Sequence, residues 1–213
     1  KQEIENVESY LRSTYAGVFS EEGIKNHLDS HVGLAFAGYA TQVVKPHLAV
    51  GGRIIDIGCG FGSCVIQALL NGYDATGVDL AGFDIDIARK RLGRCLPELD
   101  GHSVFQAVDA RTLPLENSSL DAVTLWNVIE HIEDYEDLLK WVALKLKPGG
   151  VAFIVCPNYA AWRLEAHYHV QWYPLMPRKL ASKYLLKCGK NPRYFEESIF
   201  YRTNWGVLKI LRS

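Results

Sequence analysis

The chain has 213 residues, 48% of them hydrophobic and 22% charged, and a formal net charge of −1. That is ample apolar material for one sizeable core, and so even a balance gives no global field of the kind that draws a protein onto nucleic acid. The five cysteines (59, 64, 95, 156 and 188) contain no C-x-x-C pair, and neither a signal peptide, a lipidation motif nor an apolar run near ~18 residues stands out, so a disulfide framework, a zinc ribbon and a membrane span are not expected and a reducing, cytoplasmic setting is.

Residues 1–48 read as helical. Ile4, Val7 and Leu11 fall at i, i+3 and i+7, and Phe36, Tyr39, Ala40, Val43 and Val44 make a second stripe that Pro46 ends. His27 and His31 stand four apart on one of these helices. From 51 to 156 the patterns alternate. Strands are expected over 53–57, 75–79, 103–108, 120–126 and 151–156, and helices over 63–70, 84–96 and 134–146. Asn71-Gly72 is a good helix C-cap, Asp84 and Asp86 suit a helix first turn, and Pro148-Gly149-Gly150 stops the last helix. Repeated strand–helix–strand units imply an α/β fold with a doubly wound, Rossmann-like parallel sheet and right-handed crossovers. Residues 157–213 change character, with ten Lys and Arg against three acids and seven aromatic rings between Trp162 and Phe195. We read one domain over 1–213: an N-terminal helical cap (1–48), a cofactor-binding core (51–156) and a C-terminal helical or lid segment on the substrate side.

The most informative stretch is Asp56-Ile57-Gly58-Cys59-Gly60-Phe61-Gly62. It lies between a strand and a helix, where a glycine loop can hold a nucleotide-like ligand against bare backbone. A dinucleotide fingerprint would place its third glycine at Ser63, so the spacing disfavours NAD. Asp79 ends the second strand, about where an acidic residue grips ribose hydroxyls, and a carboxylate suits a vicinal diol. Further along come Gly77-Val78-Asp79-Leu80, Val108-Asp109-Ala110, the run Leu120 to Ile132 containing Asn127 and Glu130-His131, and Leu144-Lys145-Leu146-Lys147-Pro148-Gly149-Gly150.

With these five signals in order, the chain resembles the class I S-adenosylmethionine-dependent methyltransferases over roughly Arg53 to Cys156. The resemblance implies S-adenosyl-L-methionine as cofactor and S-adenosyl-L-homocysteine as product. Backbone at Gly58, Gly60 and Gly62 would hold the donor, Asp79 with Leu80 the ribose, and Asp109 with Ala110 the adenine. Asp56 and Asn127 would lie toward the methionine end. Some relatives bind a divalent metal through Glu-x-x-Glu-His and a later His. Here Asn127 stands first, and a neutral amide is a poorer ligand for a hard cation, so no metal is expected. The family sheet usually ends in an antiparallel hairpin after a helix like 204–213, and no strands for it follow, so a longer parent protein is expected.

His167-Tyr168-His169 follows the fifth strand, where the family inserts substrate-recognition elements. On an extended segment His167 and His169 would share a face. Either, or His131, could serve as general base for a hydroxyl near neutral pH. Arg163, Arg178 and Lys179 could meet an anionic group on the acceptor. The function expected is methyl transfer to a small-molecule or glycan-like acceptor, with oxygen the nucleophile. The alternatives are an NAD-dependent oxidoreductase, a nucleic-acid methyltransferase (no Asn-Pro-Pro-Tyr-like run supports it) and an S-adenosylmethionine-binding domain without catalysis.

Overall fold

The computed structural model describes residues 2–19, 21–33, 35–161 and 163–211. The chain forms two compact units, one from residues 29–128 and 137–155, the other from residues up to Leu28, Ile129–Glu136 and Cys156 onward.

The first unit holds a five-stranded sheet, β1 (Arg53–Ile57), β2 (Asp74–Asp79), β3 (Phe105–Ala107), β4 (Leu120–Trp126) and β5 (Leu146–Val155). All neighbours pair in parallel in the order β3-β2-β1-β4-β5. The change of direction between β1 and β4 makes the crevice at the carboxyl ends of the strands in which such sheets bind ligands. The helices here are α3 (Ala35–Val44), α4 (Ser63–Leu70), α5 (Gly82–Cys95), the short α6 (Gly101–Val104) and most of α7 (Tyr135–Lys145). Val44 of α3, Val65 and Ile66 of α4 and Ile85, Ala88 and Leu92 of α5 pack with Ile54, Ala75, Phe105 and Ala122 of the strands in one buried cluster.

Two strands start two or more residues from where the sequence placed them, for local reasons. β3 starts at Phe105 because the Asp100 side chain accepts from His102 N (3.1 Å) and Ser103 N (3.1 Å), capping α6 in its place. β5 starts at Leu146, which pairs with Leu120. The register then shifts before Ala122 meets Val151, with Gly149 at φ 81° taking the irregularity.

The second unit comprises α1 (Gln2–Thr14), most of α2 (Glu21–Val32), the antiparallel pair β6 (Arg163–Leu164) and β7 (Gln171–Trp172), then α8 (Arg178–Lys187), α9 (Arg193–Ser198) and α10 (Asn204–Leu211). Its core is aromatic, with Tyr159, Tyr168, Trp172 and Phe195 buried alongside Val18, Leu185 and Ile199. Of the N-terminal helices, α1 groups with this unit and α3 with the sheet unit. Arg178 also departs from expectation. Its guanidinium lies 4.6 Å from the Phe195 ring centre and donates to Ile199 O (2.6 Å) and Phe195 O (2.9 Å), so it ties α8 to α9 and the residue that follows it. Trp162 and the side chains of His27, His31 and Arg163 lie outside the described residues. Among the described residues no helix is long and apolar enough to cross a membrane.

Candidate active site

The glycine loop leaves β1 and enters α4 through three left-handed residues, Gly58 (φ 71°), Gly60 (φ 49°) and Gly62 (φ 75°). Two of them are also sterically closed. A Cβ on Gly58 would lie 2.5 Å from Val128 Cγ2, and one on Gly62 would lie 2.6 Å from Phe105 Cζ and 2.9 Å from Ala88 Cβ. The amides of Gly58 and Cys59 donate to Val78 O (2.8 and 3.1 Å), anchoring the loop to β2.

Asp79 does more than the sequence suggested. Its Oδ2 accepts from Gly60 N (2.9 Å) and its Oδ1 from Ala81 N (2.9 Å). One carboxylate thus fixes the loop and the start of α5 together, and each oxygen keeps a lone pair for a diol. Leu80 beside it is exposed, 76% of its surface reaching solvent.

Arg91, which the sequence reading passed over, braces the loop. It is buried and donates to Phe61 O (2.6 Å), Ser63 Oγ (2.8 Å) and Val32 O (2.8 Å). Ser63, where a dinucleotide site would want glycine, is thus held in place by this guanidinium. An arginine within a helix carries no signal of such a partner 30 residues away in the chain.

Asp56 is buried and accepts from Thr124 Oγ1 at 2.6 Å, beside a pocket lined by Thr41, Val44, Cys64, Val65 and Trp126. Burial pushes its carboxyl up to about 7, against the pull of the Thr124 hydrogen bond. The folded value lies above the unfolded one, so the folded protein holds this proton more tightly. Stability from this group is complete below about pH 4 and is lost as pH rises toward 7, amounting to ~4 kcal/mol at ~1.4 kcal/mol per unit. Asp56→Asn should raise Tm at pH 8 and flatten the fall in Tm between pH 5 and pH 8. An unchanged slope in that variant would remove the assignment.

Asp109 caps the turn Ala110–Thr112 through Arg111 N (2.9 Å) and holds the Arg111 guanidinium in two bonds, Oδ1–Nε (3.0 Å) and Oδ2–Nη2 (2.7 Å). Arg111 keeps its carboxyl below the ordinary aspartate value. Ala110 is buried next to it. Asn127 is exposed and left-handed (φ 56°), with its amide donating to Val155 O (2.7 Å).

In the second unit the histidines are sorted by the fold. Glu130 and His131 sit on a short 3-10 turn, Ile129–His131. Arg202 secures that turn, with its Nε donating to Ile129 O (2.9 Å), an Nη2 donating to Ile132 O, and its guanidinium 4.0 Å from the Tyr135 ring centre. His131 and His167 stand with ring centres 5.1 Å apart, and the Tyr194 ring lies 6.0 and 5.6 Å from them. Burial and the neighbouring His167 push the His131 imidazole down to about 4, so it is neutral at physiological pH.

The His167-Tyr168-His169 segment is a turn between β6 and β7, not an extended stretch. Its organiser is Glu165, buried, which accepts from His167 N (2.7 Å), Tyr168 N (2.6 Å), Tyr159 Oη (2.8 Å) and His167 Nδ1 (3.1 Å). His169 is left-handed (φ 54°), exposed, and donates its amide to Glu165 O. The structure therefore joins His131 with His167 and leaves His169 apart. One nitrogen of each of those two rings and one carboxylate oxygen of Glu130 lie within 4.8 Å of one another, a set able to hold a metal ion.

A methyltransferase-domain family model matches residues 34–197. The chain belongs to this family. The chain is 30% identical over 124 residues to the 27-O-demethylrifamycin SV methyltransferase of Amycolatopsis mediterranei, covering 56% of this chain and 45% of that one. It is 29% identical over 141 residues to the ubiquinone biosynthesis O-methyltransferase of Stutzerimonas stutzeri, covering 63% and 58%. It thus spans about half the length of these relatives. Among solved structures, Haemonchus contortus phosphoethanolamine N-methyltransferase 2, bound to phosphomonomethylethanolamine and S-adenosylhomocysteine, superposes with a TM-score of 0.61 at 22% identity. That match covers 82% of this chain and 36% of that one and establishes the shared Rossmann-like fold.

Proposed function

We propose that this protein transfers a methyl group from S-adenosyl-L-methionine to an oxygen of a small-molecule or glycan-like acceptor, releasing S-adenosyl-L-homocysteine. The observation that carries the reading is Asp79 bonded to both Gly60 N and Ala81 N, inside a glycine loop matched by the methyltransferase family. Gly58, Gly60, Gly62 and Asp79 hold the donor's backbone-facing edge and ribose, with Leu80 lying along the ribose. Asp109 and Ala110 receive the adenine, and Asp56 and Asn127 border the methionine end. The donor carries both electrophile and leaving group, so the protein's task is alignment and acceptor activation.

Activation is assigned to His131 and His167, whose rings are brought together, and not to exposed His169. The oxygen acceptor is supported by the relatives named as O-methyltransferases. An anionic acceptor is supported less, since Arg178 is occupied with backbone carbonyls. The charge balance of the chain gives no support to a nucleic-acid substrate. A cytoplasmic location fits the free cysteines. The test is transfer of label from methyl-labelled S-adenosylmethionine to a panel of phenolic, sugar and amine acceptors. Label on hydroxyl acceptors is expected, and transfer to amines alone would overturn the oxygen assignment.

A further inference from the structure

We propose that α8 and the turn before it form a docking surface for the anionic headgroup face of a lipid bilayer. Ala181 and Leu185 are wholly buried and mark the inward side of α8. On the opposite side Lys179, Lys183 and Lys187, all exposed, recur every fourth residue and so line up in one row. Leu180 (56% exposed) and Leu186 (60%) border that row on its two sides. Like charges at this spacing repel one another, and the sequence has no Asp or Glu over residues 166–195 to offset them.

The preceding turn extends the patch. Met176 N donates to Tyr173 O (3.4 Å) around Pro174 and Leu175, and Leu175 is left-handed (φ 48°). Glycine or asparagine meets that demand readily, yet a leucine stands there, half exposed. Tyr173, exposed as well, places its ring 6.4 Å from that of Tyr184 on α8. The Tyr184 hydroxyl donates to Gln171 O (2.9 Å), so turn and helix are joined. Exposed apolar side chains grouped in this way mark an interaction site. A bilayer uses both kinds of residue. Leucine and tyrosine enter the boundary between headgroups and acyl chains, while lysine stems lie along it with their ammonium groups among the lipid phosphates. Nucleic acid would meet the lysines and leave the leucines unused. A second copy docking by the same face about a two-fold axis would set lysine row against lysine row. This surface goes beyond the methyl-donor reading and stands or falls without it.

The experiment is cosedimentation of the full chain with phosphatidylcholine vesicles and with vesicles of equal parts phosphatidylcholine and phosphatidylglycerol. Binding to the mixed vesicles is expected, at least ~10-fold tighter than to the neutral ones and weakened by added salt. Changing Lys179→Gln, Lys183→Gln and Lys187→Gln together should weaken it on the order of 100-fold. Leu180→Ser with Leu186→Ser keeps every charge and should weaken it ~10-fold. Lys140→Gln, exposed on α7, should bind as the parent does. Equal binding to neutral and anionic vesicles, or none to either, overturns the proposal on the unmodified chain, whatever the folding of the variants. Parent-like binding of the lysine or the leucine variant overturns it too. Tighter binding to duplex DNA or RNA than to the mixed vesicles would assign the face to nucleic acid. A dimer in solution that Leu180→Ser disperses would assign it to a second copy. Either result overturns the bilayer. S-Adenosylhomocysteine affinity, measured on the same samples, decides the donor reading alone.

Discussion

Gly62→Ala is expected to lower Tm by roughly 5–15 °C. The residue begins α4 with φ 75°, and the added methyl would lie 2.6 Å from Phe105 Cζ and 2.9 Å from Ala88 Cβ. The left-handed conformation costs an L-residue ~1–2 kcal/mol. Forcing a methyl into a packed core costs ~1–3 kcal/mol more. Phe105 and Ala88 are fully buried and belong to the main cluster of the sheet unit, so neither can move away without disturbing β3 or α5. At about 2–4 °C per kcal/mol for a protein of this size, the shift is easily read by scanning calorimetry. Gly93→Ala is the internal control. Gly93 lies inside α5 with nothing within 4 Å of its would-be Cβ, and there alanine should stabilise by up to about 1 kcal/mol. Equal effects at the two positions would contradict the steric account of the loop.

The second large effect falls on Asp79. Asp79→Ala removes the acceptor for Gly60 N and Ala81 N as well as the charged group assigned to the ribose. Losing a hydrogen bond to a charged group costs ~1.5–3 kcal/mol, so affinity for S-adenosylhomocysteine should fall ~10- to 150-fold. Asp79→Asn keeps one acceptor oxygen and should fall between. Asp74→Ala, exposed at the opposite end of β2, should bind as the parent does. Parent-like affinity in Asp79→Ala would refute both of its assigned roles.

The sheet was legible because its strands are short apolar runs between punctuating loops. β1 and β4 stand where the sequence placed them, and so does α4, whose end Asn71-Gly72 marks. β3 was misjudged because Asp100 offered its neighbours a local cap, a competition invisible to periodicity. β6 and β7 are two residues each, too short for any alternation to show. At the site, the glycine loop could be read because its left-handed turns are a local demand, whereas the bond from Gly60 N to Asp79, 19 residues later, could not. Arg91, Glu165 and Arg202 could not. Arg202 holds a turn 73 residues earlier in the chain, and His131 takes its carbonyl partner 67 residues later. Glu165 did leave a trace. A carboxylate two and three residues ahead of the amides of His167 and Tyr168 is the pattern of an acid that closes a turn on itself, and Glu-Ala-His-Tyr carries it.

The central claim, that the glycine loop with Asp79 holds a methyl donor, is tested most directly by calorimetry of the unmodified chain. S-Adenosylmethionine, S-adenosylhomocysteine and NAD would be titrated separately. One site is expected for each sulfur compound and none of comparable affinity for NAD, because Ser63, pinned by Arg91, stands where a dinucleotide loop needs glycine. Failure of both sulfur compounds to bind, or tighter binding of NAD, would contradict it.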